Sequence, residues 1–396
     1  LLIGELILGK FTRRSVLSAT SYLDGIHQKK LFIWVGRAGL LLSLVVLSYY
    51  AIISGWVLHF TTQFLKSLIS PTSLASQGQM DVLLKNSWLQ MGLASMHLLL
   101  TVGIVLKGVH DGLEKWIGYM MPVFSVLLVL LVFKSVSLSS SVEAFRFLFY
   151  PDFSKLTWSS LNHAIGHVCF TLSIGFGTMV TFGSYLRESD HIPTAGFRVT
   201  IVDTMVSLFA VLILFPVALG ASNVPLTDPG LLFEVLPKFL FQMQGGVLFG
   251  IAFFVCLYLA ALGASIGLLE VIVSNWVDRS KVTRRAATWI TGGIAFLLAG
   301  MTTFSSAYFK GELTRKHSFL EMVDSLLINW FLPVVALGLA LIVSYGLKTV
   351  EKEKLFVDQT KIESVALFPH WLLAMRWIAP VLISLALLLQ IIGLVV

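Results

Sequence analysis

The stretch HVCFTLSIGFGTMVTFGSYL, residues 167–186, contains the most informative local pattern in the sequence. It begins as an apolar helical run, but Ser173, Gly175 and Gly177 interrupt that run. Glycine lowers the cost of leaving helical geometry, and non-helical backbone at membrane depth is tolerated only where it is buried in protein or lines a cavity. One interpretation of the pattern is therefore a helix broken in mid-membrane beside a cavity. Close packing of helices through small residues is the alternative explanation of the same glycines.

The rest of the chain has the composition of a membrane protein. Of its 396 residues, 57% are hydrophobic and 12% are charged, whereas about a quarter of the residues of a soluble domain are charged. Apolar runs near or above the roughly 20 residues that span a bilayer recur along the chain. Because these runs lack the period-two alternation of a β-barrel, the predicted fold class is an all-α membrane protein.

The apolar runs predict nine full membrane spans within one transmembrane domain, residues 1–396. The predicted spans are 31–60, 87–106, 116–136, 161–186, 196–220, 245–277, 286–303, 322–346 and 371–395. Residues 1–8 are too short to span and end at basic residues, which indicates the tail of a further helix rather than a signal peptide. The segment 221–244 has an apolar helical pattern broken by Pro237, and it predicts either an extracellular helical hairpin over the outer mouth or packed loop.

The net charge of +7 is explained by membrane topology. Lysines and arginines cluster between apolar runs rather than in one stripe, so no nucleic-acid partner is expected. When alternate connections are assigned to the cytoplasm, 18 of the 28 lysines and arginines fall inside, and residues 9–30 are cytoplasmic. Cys169 and Cys256 both lie in apolar runs, so neither a disulfide nor a metal framework is expected.

Six segments in the same order resemble helices of the neurotransmitter:sodium symporter family. They are GELILGKFTRR (4–14, second helix), YYAIISGW (49–56, third), GHVCFTLSIGFGTMVTFGSYLRESDHI (166–192, sixth), VDTMVSLFAVLILFP (202–216, seventh), ALGASIGLLEVIVSNWVD (261–278, eighth) and FLEMVDSLL (319–327, tenth). The resemblance implies a LeuT-like inverted-repeat bundle that runs from family helix 2 to helix 11. It also implies a sodium-coupled secondary transporter, a symporter of amino acids that works by alternating access.

In that alignment the family's first helix would precede Leu1. This helix supplies backbone contacts to the substrate, several sodium ligands and an arginine of the outer gate. The sequence is therefore interpreted as partial, whereas a true short gene product would be a scaffold or a dead relative.

The resemblance also implies a substrate pocket. Tyr50 matches the tyrosine whose hydroxyl touches the substrate carboxylate, and Phe170 matches the aromatic lid, so both belong to the outer gate as well. The remaining matched positions are Val46, Thr171, Ser173, Phe176 and Leu268. An apolar wall with one carboxylate-binding end implies a neutral, hydrophobic amino acid. Core packing would also explain Val46 and Leu268, and a cross-helix hydrogen bond would explain a mid-span tyrosine.

The resemblance places the first sodium site at Thr171 and Asp203, where Asp203 replaces a more usual asparagine. A carboxylate within an apolar span is costly, so it is a functional candidate, although pairing with a buried base such as His167 is the alternative. As a fixed charge, Asp203 would replace the chloride that some members require, so no chloride requirement is expected. Ser207 has the hydroxyl found in chloride-using relatives, so the sequence leaves the chloride requirement open.

The second sodium site is expected to be weak. Its matched positions are Ala260, Gly263 and Ala264, and the last two replace a pair of hydroxyl residues. Ser265 lies one position further, and a helix residue turns by about 100°, so its hydroxyl is expected to point away from the ion. Sodium, a hard cation, prefers oxygen ligands. We therefore expect one functional sodium site.

Three further residues match the gates of the family. Asp324 matches the outer-gate acid, while Asp278 and Tyr185 match the inner gate. Asp324 and Asp278 lie at or near span ends, where a solvated carboxylate is ordinary. Glu270 has no expected role beyond packing or a helix–helix hydrogen bond, and Glu5 is expected to be structural.

No enzyme signature competes with this interpretation. The chain shows no nucleophile, base and acid at one depth and no Walker-type phosphate loop. The expected partners are Na⁺, an amino acid and membrane lipid, without an obligate protein partner, in a bacterial inner membrane crossed several times. A non-transporting receptor or scaffold on the same fold is the alternative function.

Overall fold

The computed structural model describes residues 1–28, 30–69, 79–138, 140–150, 152–220, 231–280, 282–308, 319–357 and 362–395, and within these ranges every regular element is helical. The α-helices are α1 (Leu2–Thr12), α2 (Val16–His27), α3 (Phe32–Ile69), α4 (Gln79–Lys85), α5 (Ser87–Val105), α6 (Lys115–Val136), α7 (Ser141–Phe149), α8 (Trp158–Thr171), α9 (Thr178–Tyr185), α10 (Ile192–Gly220), α11 (Leu236–Gln242), α12 (Gly246–Arg279), α13 (Arg284–Tyr308), α14 (Phe319–Leu326), α15 (Leu332–Leu341), α16 (Thr349–Phe356), α17 (Ile362–Leu373) and α18 (Ala379–Val395). Short π-helical segments join α14 to α15 and α17 to α18.

Eight of the predicted spans are helices long and apolar enough to cross a membrane, among the residues described. The remaining predicted span, 161–186, is divided into two helices, α8 and α9. The first predicted span ended at residue 60, but α3 continues to Ile69 because TTQFLKSLI contains neither glycine nor proline to stop it. The all-α membrane fold predicted from the sequence is confirmed.

The helix α3 lies at the centre of the bundle. Its most apolar window is 61% buried by the rest of the chain, whereas the window in Val365–Ile391 is only 17% buried. Helix α12 packs along α3, and α1 packs along α9. The peripheral helices present leucine, valine and isoleucine side chains outward, as expected of surfaces that face lipid.

The interior forms two apolar clusters. One surrounds the junction of α8 and α9 and includes residues of α3, α12 and α15. The other joins the far end of α3 to the start of α12 and contains Phe60, Phe64 and Phe254. Phe233, Leu236 and Leu240, from the described part of the predicted 221–244 hairpin, belong to this second cluster. Residues 221–230 of that prediction lie outside the described residues.

Candidate functional site

The helix predicted to break does so between Thr171, where α8 ends, and Thr178, where α9 begins. Gly175 and Gly177 have φ angles of 90° and 77°, a region that glycine enters readily and other residues avoid. Ser173 also has a positive φ, 53°, a conformation that costs a non-glycine residue roughly 1–3 kcal/mol and is concentrated at functional sites. The unwinding interpretation is therefore correct for these residues. Close helix packing accounts instead for Gly183, since a Cβ there would lie 2.5 Å from the Leu6 carbonyl oxygen.

Two side chains from other helices hold the unwound backbone. Glu5 of α1 is buried, and its Oε1 accepts a hydrogen bond from the Gly175 N–H at 2.8 Å. The Ser43 hydroxyl of α3 donates to the Phe176 carbonyl at 3.0 Å. Such bonds compensate the backbone groups that lose helical partners. Sequence reasoning gave Glu5 no functional role, and the available signal was an acid within the apolar residues 1–8.

Several residues matched to the substrate pocket share a buried cluster with this segment. Val46, Phe176 and Leu268 belong to one buried cluster, and Phe170 packs against it. The rings of Phe170 and Phe176 are 5.9 Å apart and nearly perpendicular, a favourable edge-to-face geometry. Ser173 is partly exposed beside them.

Two adjacent tyrosines of α3 differ in their hydrogen bonds. Tyr49 is buried, and its hydroxyl donates to Asp324 Oδ1 at 2.6 Å. The hydroxyl of Tyr50, the matched carboxylate-binding residue, makes no hydrogen bond with any described residue, and the side chain is partly exposed. The Tyr49 bond shows that Asp324 is not an ordinary solvated carboxylate, because it ties α14 to α3.

The residues matched to the first sodium site retain free oxygen atoms. Thr171 Oγ1 makes only a long 3.4 Å bond to the Val168 carbonyl. Asp203 is half-buried on α10 and pairs with no group in the described part of the chain. The alternative partner, His167, is exposed and is not bonded to Asp203. Each of these groups is of a kind that a hard cation such as sodium binds.

The positions matched to the second sodium site lie along one stretch of α12. Ala260 and Gly263 are partly exposed and Ala264 is exposed, and neither glycine nor alanine has a side-chain oxygen. The hydroxyl of Ser265 is fully buried and lies 2.8 Å from Nε2 of His97 on α5. That oxygen is therefore engaged between α5 and α12.

Further along α12, Glu270 makes the helix–helix hydrogen bond that was one of its two expected roles, and it also takes part in a buried ion pair. The guanidinium of Arg284, at the start of α13, contacts both carboxylate oxygens of Glu270. The Tyr185 hydroxyl donates to Glu270 Oε1 at 2.7 Å. The sequence did not predict a role for Arg284. It placed Tyr185 in the inner gate with Asp278 and not with its partner Glu270.

The second residue matched to the inner gate, Asp278, makes a different contact. The carboxylate of Asp278 accepts a hydrogen bond from the Ser15 backbone N–H at 2.7 Å, at the start of α2. Glu270 and Asp278 thus take part in two separate contacts at this end of α12.

Known proteins are similar to this chain both in sequence and in fold. The sequence model of the Sodium:neurotransmitter symporter family matches residues 72–395. A sodium-dependent transporter of Bacillus subtilis is 30% identical over 388 residues, which cover 97% of this chain and 84% of the relative. A sodium-dependent transporter of Haemophilus influenzae is 26% identical over 394 residues, which cover 97% of this chain and 85% of the relative.

The structural similarity extends over the whole chain. The crystal structure of MhsT in complex with L-phenylalanine has a TM-score of 0.86 and 27% sequence identity, and the match covers 98% of this chain and 87% of MhsT. The LeuT-like fold expected from the six segments is therefore confirmed, and so is the resemblance itself. On this sequence and structural similarity, the chain belongs to the Sodium:neurotransmitter symporter family.

Proposed function

We propose that this sodium-dependent symporter carries a neutral, hydrophobic amino acid. The observation that carries the proposal is the break between α8 and α9, because it opens the C-terminal end of one helix and the N-terminal end of another at a single point. The first end is partially negative and suits a cation or an ammonium group, and the second is partially positive and suits a carboxylate. The Tyr50 hydroxyl, which has no partner among the described residues, supplies a further donor for that carboxylate.

The substrate side chain would contact apolar groups. Val46, Phe176 and Leu268 are buried and uncharged, and the Phe170 ring covers the same cluster. An amino acid with a charged side chain would lose its hydration there without gaining a partner. L-phenylalanine, the ligand of MhsT, belongs to the class that such a wall accepts.

One sodium ion would bind between Thr171 and Asp203, with a weakened second site at Ala260, Gly263 and Ala264. Sodium and substrate binding would favour an outward-facing state, and rocking of a helix bundle would then open the inner side. Opening would require the Tyr185–Glu270–Arg284 and Asp278–Ser15 contacts to separate.

The decisive experiment measures uptake of radiolabelled amino acids into proteoliposomes that contain the full-length gene product. Phenylalanine and leucine should accumulate under an inward sodium gradient, while glutamate should not. Equal uptake when choline replaces sodium, or accumulation of glutamate alone, would refute the proposal. A receptor or scaffold would show no sodium-dependent uptake at all.

Chloride dependence is tested in the same vesicles. Because Asp203 supplies a fixed negative charge near the first sodium site, replacement of chloride by gluconate should leave wild-type uptake unchanged. Asp203→Asn should abolish uptake or make it dependent on chloride. A collapse of wild-type uptake in gluconate would show that Asp203 does not replace the anion.

A further inference from the structure

A lateral groove lies between α3, α12 and α13, near the end where α3 and α13 begin and α12 ends. Its volume is about 590 Å³, within the range of roughly 300–1,000 Å³ found for pockets that hold small ligands. Most of its wall is aliphatic or aromatic, and its members include Leu40, Leu41, Leu44, Ile272, Trp276 and Ile294. Leu41 and Trp276 are exposed, so the groove opens at the surface of the bundle.

The mouth of this groove is positively charged. Arg279, the last residue of α12, lines it and is exposed. Within the described part of the chain, its guanidinium has neither an ion-pair partner nor a hydrogen-bonded side chain. Arg37 does not line the groove, but it lies one turn before the lining residue Leu41 on the same face of α3 and stacks over Trp34 at 4.6 Å. The described lining contains no carboxylate.

Charge and apolar surface are separated along the groove. Leu44 is seven residues beyond Arg37 on α3, and Ile272 is seven residues before Arg279 on α12. At 1.5 Å per residue, each apolar residue lies about 10 Å deeper along its helix than the arginine. Trp276 lies between the two levels, as tryptophans do at the boundary between headgroups and hydrocarbon.

We propose that this groove binds one anionic phospholipid of the cytoplasmic leaflet. The phosphate would pair with Arg279 and Arg37, and one acyl chain would lie along the leucines of α3 and Ile272. A net negative headgroup fits better than a zwitterionic one because the described lining contains a cation, Arg279, and no anion to receive an ammonium group. Free phosphate could satisfy the arginines but would leave the apolar wall uncovered.

A lipid bound there would also support the inner closure. Leu17 of α2 forms part of the groove wall, and its backbone N–H donates to Asn275 Oδ1 of α12 at 2.8 Å. Asp278, next to Arg279, accepts from the Ser15 N–H. An acyl chain packed on Leu17 would therefore stabilise the contact between α2 and α12.

Native mass spectrometry of the full-length protein, extracted in detergent and incubated with defined lipids, tests this proposal without requiring transport. Phosphatidylglycerol should remain bound at one copy per protein, and phosphatidylcholine of the same chain length should be retained at least fivefold less. Arg279→Gln should reduce phosphatidylglycerol retention at least fivefold, and Leu41→Trp, which fills the groove, should do the same. Excess inorganic phosphate should not displace the lipid.

The matched control is Arg285→Gln, since Arg285 is an exposed arginine in the first turn of α13 that does not line the groove. This variant should retain phosphatidylglycerol like the wild type. Equal retention of both lipids by the wild type would overturn the proposal. So would undiminished retention by Arg279→Gln and Leu41→Trp, or an equal loss in Arg285→Gln.

Discussion

Tyr49 and Tyr50 are neighbours in the sequence, but their hydroxyls meet different surroundings. Adjacent helix residues point about 100° apart, so Tyr49 reaches Asp324 while Tyr50 remains without a partner among the described residues. The tertiary contact of Tyr49 joins positions 275 residues apart. A single sequence does not reveal that pairing, and only the family resemblance directed attention to Tyr50.

Tyr50→Phe should weaken amino-acid binding by roughly 1.5–3 kcal/mol, the range for a hydrogen bond to a charged group. That loss corresponds to about a 10- to 150-fold increase in Kd. A scintillation-proximity binding assay measures it. Tyr119→Phe is the control, because Tyr119 is 67% exposed on α6 and should not alter Kd. Unchanged affinity in Tyr50→Phe would return this residue to a packing role.

The contacts of two buried acids, Glu5 and Glu270, were not predicted from the sequence. Glu5 and Gly175 are separated by 170 residues, yet the carboxylate accepts the Gly175 N–H. Glu270 is closer in sequence to its partner Arg284. The pair forms only because the chain reverses direction between α12 and α13, so that the two helices lie side by side. Residue type showed that a buried acid needs a partner. The identity of each partner depended on tertiary structure.

At the scale of elements, the sequence was most informative where structure is locally determined. The break after α8 was predictable because glycine itself can adopt positive φ angles, as Gly175 and Gly177 do here. The length of each apolar run, which is also a local property of the sequence, predicted the other spans. The extension of α3 to Ile69 was missed, because apolar length marks the hydrocarbon thickness and not the end of the helix.

Helix α12 carries the prediction about sodium stoichiometry. With Gly263 and Ala264 offering no side-chain oxygen, sodium dependence of uptake should have a Hill coefficient near one. The double change Gly263→Thr with Ala264→Ser should strengthen sodium binding and raise the coefficient. Space allows it, since a Cβ at residue 263 would meet only Met121 Cε, at 3.5 Å. Sodium titrations of uptake provide both quantities.

The control for α12 is Ser265→Ala. Its hydroxyl faces His97 on α5, so the change should leave the sodium affinity unaltered even if it lowers stability. Two sodium ions counted per substrate in the wild type, or loss of sodium affinity in Ser265→Ala, would show that the assignment of this face is wrong.

At the scale of the whole molecule, basic side chains join distant segments at the end that the charge bias places in the cytoplasm. Lys10 Nζ donates to the Asp190 carbonyl at 2.7 Å and ties α1 to the segment before α10. Nε2 of His191 lies 3.2 Å from the Phe356 carbonyl of α16. Lys352, fully buried on α16, donates to the Ser344 carbonyl at 2.7 Å and to the Val343 carbonyl at 3.2 Å. Helix α16 is thus anchored by an ammonium group at the end of the preceding span.

The stability of the molecule should therefore depend on pH through Lys352. Burial lowers the pKa of this ammonium to about 8, with the charge of Arg376 acting in the same direction and that of Glu351 opposing it. An unfolded lysine has a pKa of about 10.4. Between these values the unfolded chain holds a proton that the folded chain has lost, so the free energy of unfolding rises with pH, by on the order of 3 kcal/mol over the window. Thermal unfolding in detergent at pH 7.5 and pH 10 should show the wild type gaining stability relative to Lys352→Met. Lys354→Met, at an exposed position of the same helix, should follow the wild type, and an identical pH response in Lys352→Met would contradict the role of the buried ammonium.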